Sequence, residues 1–228
     1  MLQLFIADKN YSSWSLRPWV LLQTLQIPFV ERCEVFDTDD NAEKFKKFSP
    51  NGKVPCLHDL ASQTVVWDSL AIVEYVAEQY PKVWPQDRQA RAYARCAAAE
   101  MHSGFAVLRD VCSMNVGIRV QLHTVSSALA ADIARLDALW TQGLSQFGGP
   151  FLAGAEFTAV DAFFAPVAFR VQTYGLRLSA PAMAYVERLL ALPPMQLWTQ
   201  QALSDKHREP SHEAWCLSHG QLLADYRQ

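Results

Sequence analysis

The hydrophobic period of the chain changes once, and that change limits the folds open to it. Up to residue 80, stretches of period two alternate with stretches of period near 3.6. Beyond Tyr80-Pro81-Lys82-Val83-Trp84-Pro85 only the helical period persists. Two prolines within five residues mark that segment as a linker. The expected organisation is an α/β unit over residues 1–80, a linker over 81–87 and an all-helical unit over 88–228.

In the first unit Leu2, Leu4 and Ile6 alternate with Gln3 and Phe5, which predicts a strand. Trp14, Arg17, Pro18, Leu21, Leu22 and Leu25 recur at helical spacing over 13–25, with Ser12 or Ser13 as N-cap. Pro18 is tolerable there only near the first turn, where a missing N–H costs nothing. A strand over 29–35, a helix over 41–48, strands over 54–57 and 64–67 and a helix over 69–80 complete a β-α-β-α-β-β-α order. The second unit is read as helices over 88–112, 125–147, 158–174, 181–192 and 195–203. The polar tail, 204–228, carries one further helical stretch over 213–226.

Bulk properties exclude several classes. Half of the 228 residues are hydrophobic and 19% are charged, enough for a well-buried core. A net charge of −3 gives no basic footprint for nucleic acid. No run approaches the roughly 20 apolar residues of a membrane helix, and the N-terminus lacks the basic region and cleavage site of a signal peptide. Five scattered cysteines without a C-x-x-C pair, and six unclustered histidines, point to an intracellular, metal-free chain.

Three short patterns carry chemistry. Tyr11-Ser12-Ser13-Trp14-Ser15-Leu16-Arg17 sets hydroxyls at a helix start, where the amides favour an anion such as a thiolate. A solvated N-cap serine is the plainer reading of the same residues. Ser49-Pro50-Asn51-Gly52-Lys53-Val54-Pro55-Cys56-Leu57 places a proline at the opening of a strand. A cis Val54–Pro55 bond there would free the Val54 backbone to pair with an extended peptide; an ordinary trans turn is the alternative. In Trp67-Asp68-Ser69-Leu70 the serine is read as a helix cap able to receive a carboxylate, with Asp68 able to receive an ammonium group.

Taken together, these patterns resemble the glutathione-binding, thioredoxin-like domain of the glutathione transferases, and the match in order and spacing covers residues 1–80. Ser12-Ser13-Trp14-Ser15-Leu16-Arg17 is most similar to the zeta class, whose motif is Ser-Ser-Cys-x-Trp-Arg. Trp14 stands in place of its cysteine and Leu16 in place of its tryptophan, which reshapes the pocket beside the sulfur. The missing cysteine also argues against members that form a mixed disulfide with glutathione at this position. In the second unit Phe151-Leu152-Ala153-Gly154 and Thr158-Ala159-Val160-Asp161 are similar to the family's helix-start motif, a capping box of structural value.

The resemblance implies a fold of a thioredoxin-like α/β domain followed by an all-α domain, and a transferase with glutathione as co-substrate and no metal. The catalytic serine falls on Ser12, with Ser13 beside it. Because a serine hydroxyl is a poor base, its implied role is to donate a hydrogen bond to the thiolate. Glutathione would pair with Val54 before Pro55, set its γ-glutamyl end on Asp68 and Ser69, and set its glycyl carboxylate on Lys53, with Lys44 or Lys47 as substitutes.

The electrophile would meet Trp14 and the helical face of Met101, Phe105, Leu108 and Arg109, a stripe that also reads as core. If Arg109 or Arg170 faces the cleft, the substrate is acidic. A cytoplasmic homodimer is implied as well. The alternatives are a maleylacetoacetate isomerase-type enzyme, a glutathione-dependent reductase or peroxidase, and a non-enzymatic protein-association module of the same fold.

Overall fold

The computed structural model describes residues 1–37 and 40–228. Its first part holds a four-stranded sheet of β1 (Leu2–Ile6), β2 (Phe29–Cys33), β3 (Cys56–Asp59) and β4 (Thr64–Trp67), in the order β2-β1-β3-β4. β1 runs parallel to β2 and antiparallel to β3, which pairs antiparallel with β4. A parallel neighbour needs a crossover, and α1 (Ser13–Thr24) supplies it. In the central strand Leu4 lies opposite Glu31 on one side and Leu57 on the other. Leu4, Ile6 and Leu57 are fully buried. α2 (Asn41–Lys46) is capped by Asp40, whose carboxylate accepts from the amides of Ala42 and Glu43. α3 (Ser69–Ala77) follows β4.

A 3₁₀ turn at Pro81–Val83 leads into α4 (Arg88–Ser103), α5 (Ala106–Val111), α6 (Ser127–Phe147), α7 (Ala159–Tyr174), α8 (Ala180–Leu190), α9 (Pro193–Ser204) and α10 (Pro210–Ser218). α7 is mostly apolar and buried all round, Gln172 being its one residue that is not buried, and its buried Asp161 and Arg170 are hydrogen-bonded. A helix of that kind belongs in the middle of a core. It packs against α1, α4 and α8, so the α1–α7 contact joins the sheet-bearing part to the helical part. The capping box at its start is present. Asp161 also accepts from Leu152 N–H at 3.0 Å and from the Tyr185 hydroxyl at 2.8 Å. Burial pushes this carboxyl up to about 6, against the pull of those bonds.

Four expectations are corrected. The helix over 88–112 is two helices, because Gly104 lies under the Glu100 carbonyl and Phe105 takes a left-handed conformation, φ 53°. The second part also contains strands. β5 (Ile118–Leu122) and β6 (Gly220–Asp225) pair antiparallel, so the tail ends in a strand where a helix had been read. Pro18 sits in the second turn of α1, past the position where a missing N–H is free of cost. Asp68, not Ser69, is the N-cap of α3. Among the described residues no helix is long and apolar enough to cross a membrane.

Candidate functional site

The loop after β1 is held from below: Trp198 Nε1 donates to the Lys9 carbonyl at 2.8 Å, and Asn10 Nδ2 donates to the Ala202 carbonyl at 2.7 Å. This fixes the start of α1. Ser12 occupies the N-cap position, yet its hydroxyl makes no capping bond to the first-turn amides. It donates to Ser15 Oγ at 2.7 Å, and Ser15 Oγ also accepts from the Ala7 N–H at 3.2 Å. The first-turn amides of α1 therefore keep their positive partial charge without a side-chain acceptor.

A cavity of about 480 Å³ opens at this helix start. Ser12, Ser13, Trp14, Lys53, Val54, Arg109 and Arg170 all line it. Met101 and Phe105 do not: they are 1% and 6% exposed and belong to the hydrophobic core. The break at Gly104-Phe105 removes the common helical face on which the four-residue stripe depended.

Two guanidinium groups face Trp14. The guanidinium of Arg17 lies 4.0 Å and that of Arg109 5.3 Å from its ring centroid. Arg17 also sits over Phe163, and its Nε and Nη1 have no partner. Burial, with Arg170 and Arg109 nearby, pushes Arg17 down to about 9, and Asp68 acts the other way. Burial likewise pushes Arg170 down to about 10. A concentration of buried positive charge with unpartnered nitrogens is suited to an anion.

A second cavity, about 210 Å³, adjoins the first through shared Trp14, Lys53 and Val54 and reaches Pro55, Asp68 and Ser69. The Val54–Pro55 bond is cis. Among the described residues neither the N–H nor the C=O of Val54 has a partner. Gly52, with φ +65°, makes the turn just before, where a Cβ would lie 2.8 Å from the Ala42 carbonyl oxygen. Asp68 is held at φ 74°, a left-handed conformation that costs a non-glycine residue free energy. Its Oδ1 accepts from the amides of Leu70 and Ala71 at 2.8 and 3.4 Å, and its Oδ2 lies 3.4 Å from His102 Nε2. Ser69 is 1% exposed, and its hydroxyl has no partner. An orphaned buried hydroxyl at a helix start is ready for a carboxylate.

Of the cations considered for a glycyl carboxylate, Lys53 is exposed on the rim of both cavities. Lys44 donates to the Val35 carbonyl instead. Lys47 is exposed and lines neither cavity.

One wall was not visible in the sequence. His212 of α10 stacks between Tyr11 and Phe36, 5.0 Å from each ring centroid. Its neighbour Glu213 accepts from the Tyr11 hydroxyl at 2.6 Å, from Asn115 Nδ2 at 3.1 Å and from Arg227. Burial, followed by Glu213, pushes the Tyr11 phenol well above its ordinary range. The tail after Ser204 thus closes one side of the larger cavity. Nothing local marks His212, which is brought there by tertiary packing alone.

Comparison with known proteins shows the family of the chain. Residues 11–79 match the family model described as glutathione S-transferase, N-terminal domain, and residues 90–200 match that described as glutathione S-transferase, C-terminal domain. Glutathione S-transferase Z1 of Arabidopsis thaliana is 30% identical over 139 residues, covering 58% of each chain. A probable maleylacetoacetate isomerase of Caenorhabditis elegans is 26% identical over 192 residues, 80% of this chain and 85% of the relative. Among solved structures, a Burkholderia glutathione transferase homologue with bound glutathione superposes with a TM-score of 0.67 at 23% identity, covering 88% of this chain and 97% of that one. The Bombyx mori glutathione S-transferase unclassified 2 does so at 0.70 and 18%, covering 96% and 99%.

Proposed function

The chain belongs to the glutathione S-transferase family, and from that premise we propose that it is a cytoplasmic transferase that adds the glutathione thiolate to a small electrophile. The observation that carries this reading is the meeting of three segments remote in sequence around two joined cavities. These are the hydroxyls at the start of α1, the free Val54 backbone beside cis Pro55, and Asp68 with Ser69 at the start of α3.

Glutathione lies extended along Val54, as an added strand. Its γ-glutamyl ammonium meets Asp68, its γ-glutamyl carboxylate meets the Ser69 hydroxyl, and its glycyl carboxylate meets Lys53. The sulfur then falls at the positive end of α1, where a hydroxyl donates to the thiolate and keeps it deprotonated near neutral pH. The thiolate attacks the electrophilic carbon, a C–S bond forms, and the leaving group departs with its electron pair. In an isomerisation the same C–S bond forms and later breaks.

The electrophile occupies the larger cavity beside Trp14. Arg109 in that wall, only partly buried and with an unpartnered Nε, favours an electrophile that carries an anionic group. The unit acts as a homodimer, which the exposed Val65 and Trp67 on β4 support.

Retention on immobilised glutathione, followed by a panel of neutral and carboxylate-bearing electrophiles, tests the reading. Retention with turnover supports it. Retention without any turnover favours a non-enzymatic association module, and absence of retention overturns it.

A further inference from the structure

Ser12 and Ser13 are adjacent at the start of α1, and their hydroxyls are engaged differently. Ser12 Oγ donates to Ser15 Oγ, and Ser15 is fully buried. Ser13 Oγ accepts from Arg170 Nη2 at 3.3 Å, and among the described residues its own proton has no acceptor. A hydroxyl whose lone pair is held by a cation becomes a stronger donor through its remaining proton. Ser13 and Arg170 both line the larger cavity.

Arg170 comes from the middle of α7 and is only 4% exposed. Its Nη1 donates to the backbone carbonyls of Arg109, at 3.1 Å, and Cys112. Its Nε has no partner, and among the described residues no carboxylate pairs with it. The guanidinium is therefore aimed by two carbonyls, with one nitrogen on Ser13 and its charge uncompensated. Desolvating such a charge is costly, and an anion on the cavity side of Ser13 relieves that cost.

We propose that Ser13 Oγ is the donor to the sulfur of bound glutathione, and that Arg170 is the positioning residue that orients and polarises this hydroxyl. The assignment rests on the glutathione reading above. Ser12, by contrast, shapes the loop through Ser15. No covalent bond changes in this step; the thiol proton leaves to solvent, and the thiolate stays in the field of Arg170 through Ser13. The other charged or titratable groups around this position are Tyr11 ahead of α1, Lys53 after the Gly52 turn, Arg109 of α5 and His212 of α10, with Cys112, Tyr174 and Cys216 near Arg170. Arg17 lies behind Trp14, and the Asp68–His102 pair borders the adjoining cavity.

The test is a pH titration of the ultraviolet thiolate absorbance of glutathione bound to the full-length protein, with binding measured in parallel by calorimetry. Ser13→Ala is expected to raise the pKa of the bound thiol by about one unit or more, and Ser12→Ala by less than half as much. Arg170→Lys keeps the charge but lacks the planar fork that sets one nitrogen on the two carbonyls and the other on Ser13, so it too raises the bound thiol pKa. Because Arg170 acts through Ser13, the double variant shifts no further than Ser13→Ala alone.

A larger shift in Ser12→Ala than in Ser13→Ala overturns the assignment, and additive shifts in the double variant overturn the role of Arg170. Should Arg170→Lys fail to fold, the two serine variants still decide the donor. A wild-type protein that binds no glutathione overturns the underlying reading as well. Wild-type binding with an unshifted Ser13→Ala overturns this assignment alone.

Discussion

Tyr11 donates its phenolic hydrogen to Glu213 across 2.6 Å, joining the loop ahead of α1 to a helix 202 residues further along the chain. Asn115 and Arg227 converge on the same carboxylate, so one acidic side chain ties the tail to the mouth of the larger cavity. Burial pushes Glu213 up, but the bonds from Arg227 and Tyr11 more than reverse this and leave it below its ordinary value of 4.5. With the folded pKa below the unfolded one, the stabilisation is fully present above pH 4.5 and is lost as pH falls through the folded value. Glu213→Gln should therefore cost about 1–2 kcal/mol near neutral pH, and the difference from wild type should shrink on acidification. Urea denaturation at both pH values checks this; a difference that does not change with pH counts against it.

Asp68 carries two duties that substitution can separate. Its carboxylate caps α3, and its charge is assigned to the γ-glutamyl ammonium. Asp68→Asn keeps a capping oxygen, so stability should change by only a few tenths of a kcal/mol. Retention on immobilised glutathione should nonetheless weaken about tenfold, the loss of one charge-assisted contact. Asp68→Ala should show the same weakening plus about 1 kcal/mol of instability. Retention equal to wild type in Asp68→Asn removes the residue from the site.

Arg109 faces the larger cavity while Arg17 lies behind Trp14. Arg109→Leu should lower kcat/KM for a carboxylate-bearing electrophile by about tenfold or more. A neutral electrophile of similar size should change by less than about threefold. Equal losses for both would show that Arg109 supports the fold of the wall and does not select substrate charge.

Gly52 turns the chain into Lys53 and Val54 at φ +65°, with the Ala42 carbonyl oxygen 2.8 Å from where a Cβ would stand. Gly52→Ala should destabilise the protein by about 1–2 kcal/mol and weaken glutathione binding, since Lys53 and Val54 move with the turn. Denaturation and calorimetry on one variant check both parts. Unchanged binding despite lost stability would show that the two residues are held by something other than this turn.

What could be read from the residues in order was local. The period change at residue 80 marks the passage from sheet to helices. Val54-Pro55, Asp68-Ser69 and Thr158 with Asp161 are short motifs whose local geometry is set within a few residues: a cis bond, a helix cap and a capping box. Even there the division of labour shifted. Asp68, one residue ahead of Ser69, is the cap, its carboxylate accepting from the Leu70 and Ala71 amides. The strand β5 had left a trace, since Ile118, Val120 and Leu122 alternate with Arg119 and Gln121. Its partner β6 had not, because the two strands pair across about 100 residues of chain.

The tertiary structure decided the rest, for one physical reason: a side chain's neighbours across the fold are not encoded in its spacing along the chain. Met101 and Phe105 went to the core when the backbone broke at Gly104. His212 became a cavity wall because Glu213 is bound by Tyr11 and Arg227. The sequence by itself determined that hydroxyls stand at the start of α1. Which of them is turned inward to Ser15, and which is held by Arg170 from 157 residues away, was set by the packing of α7 against α1.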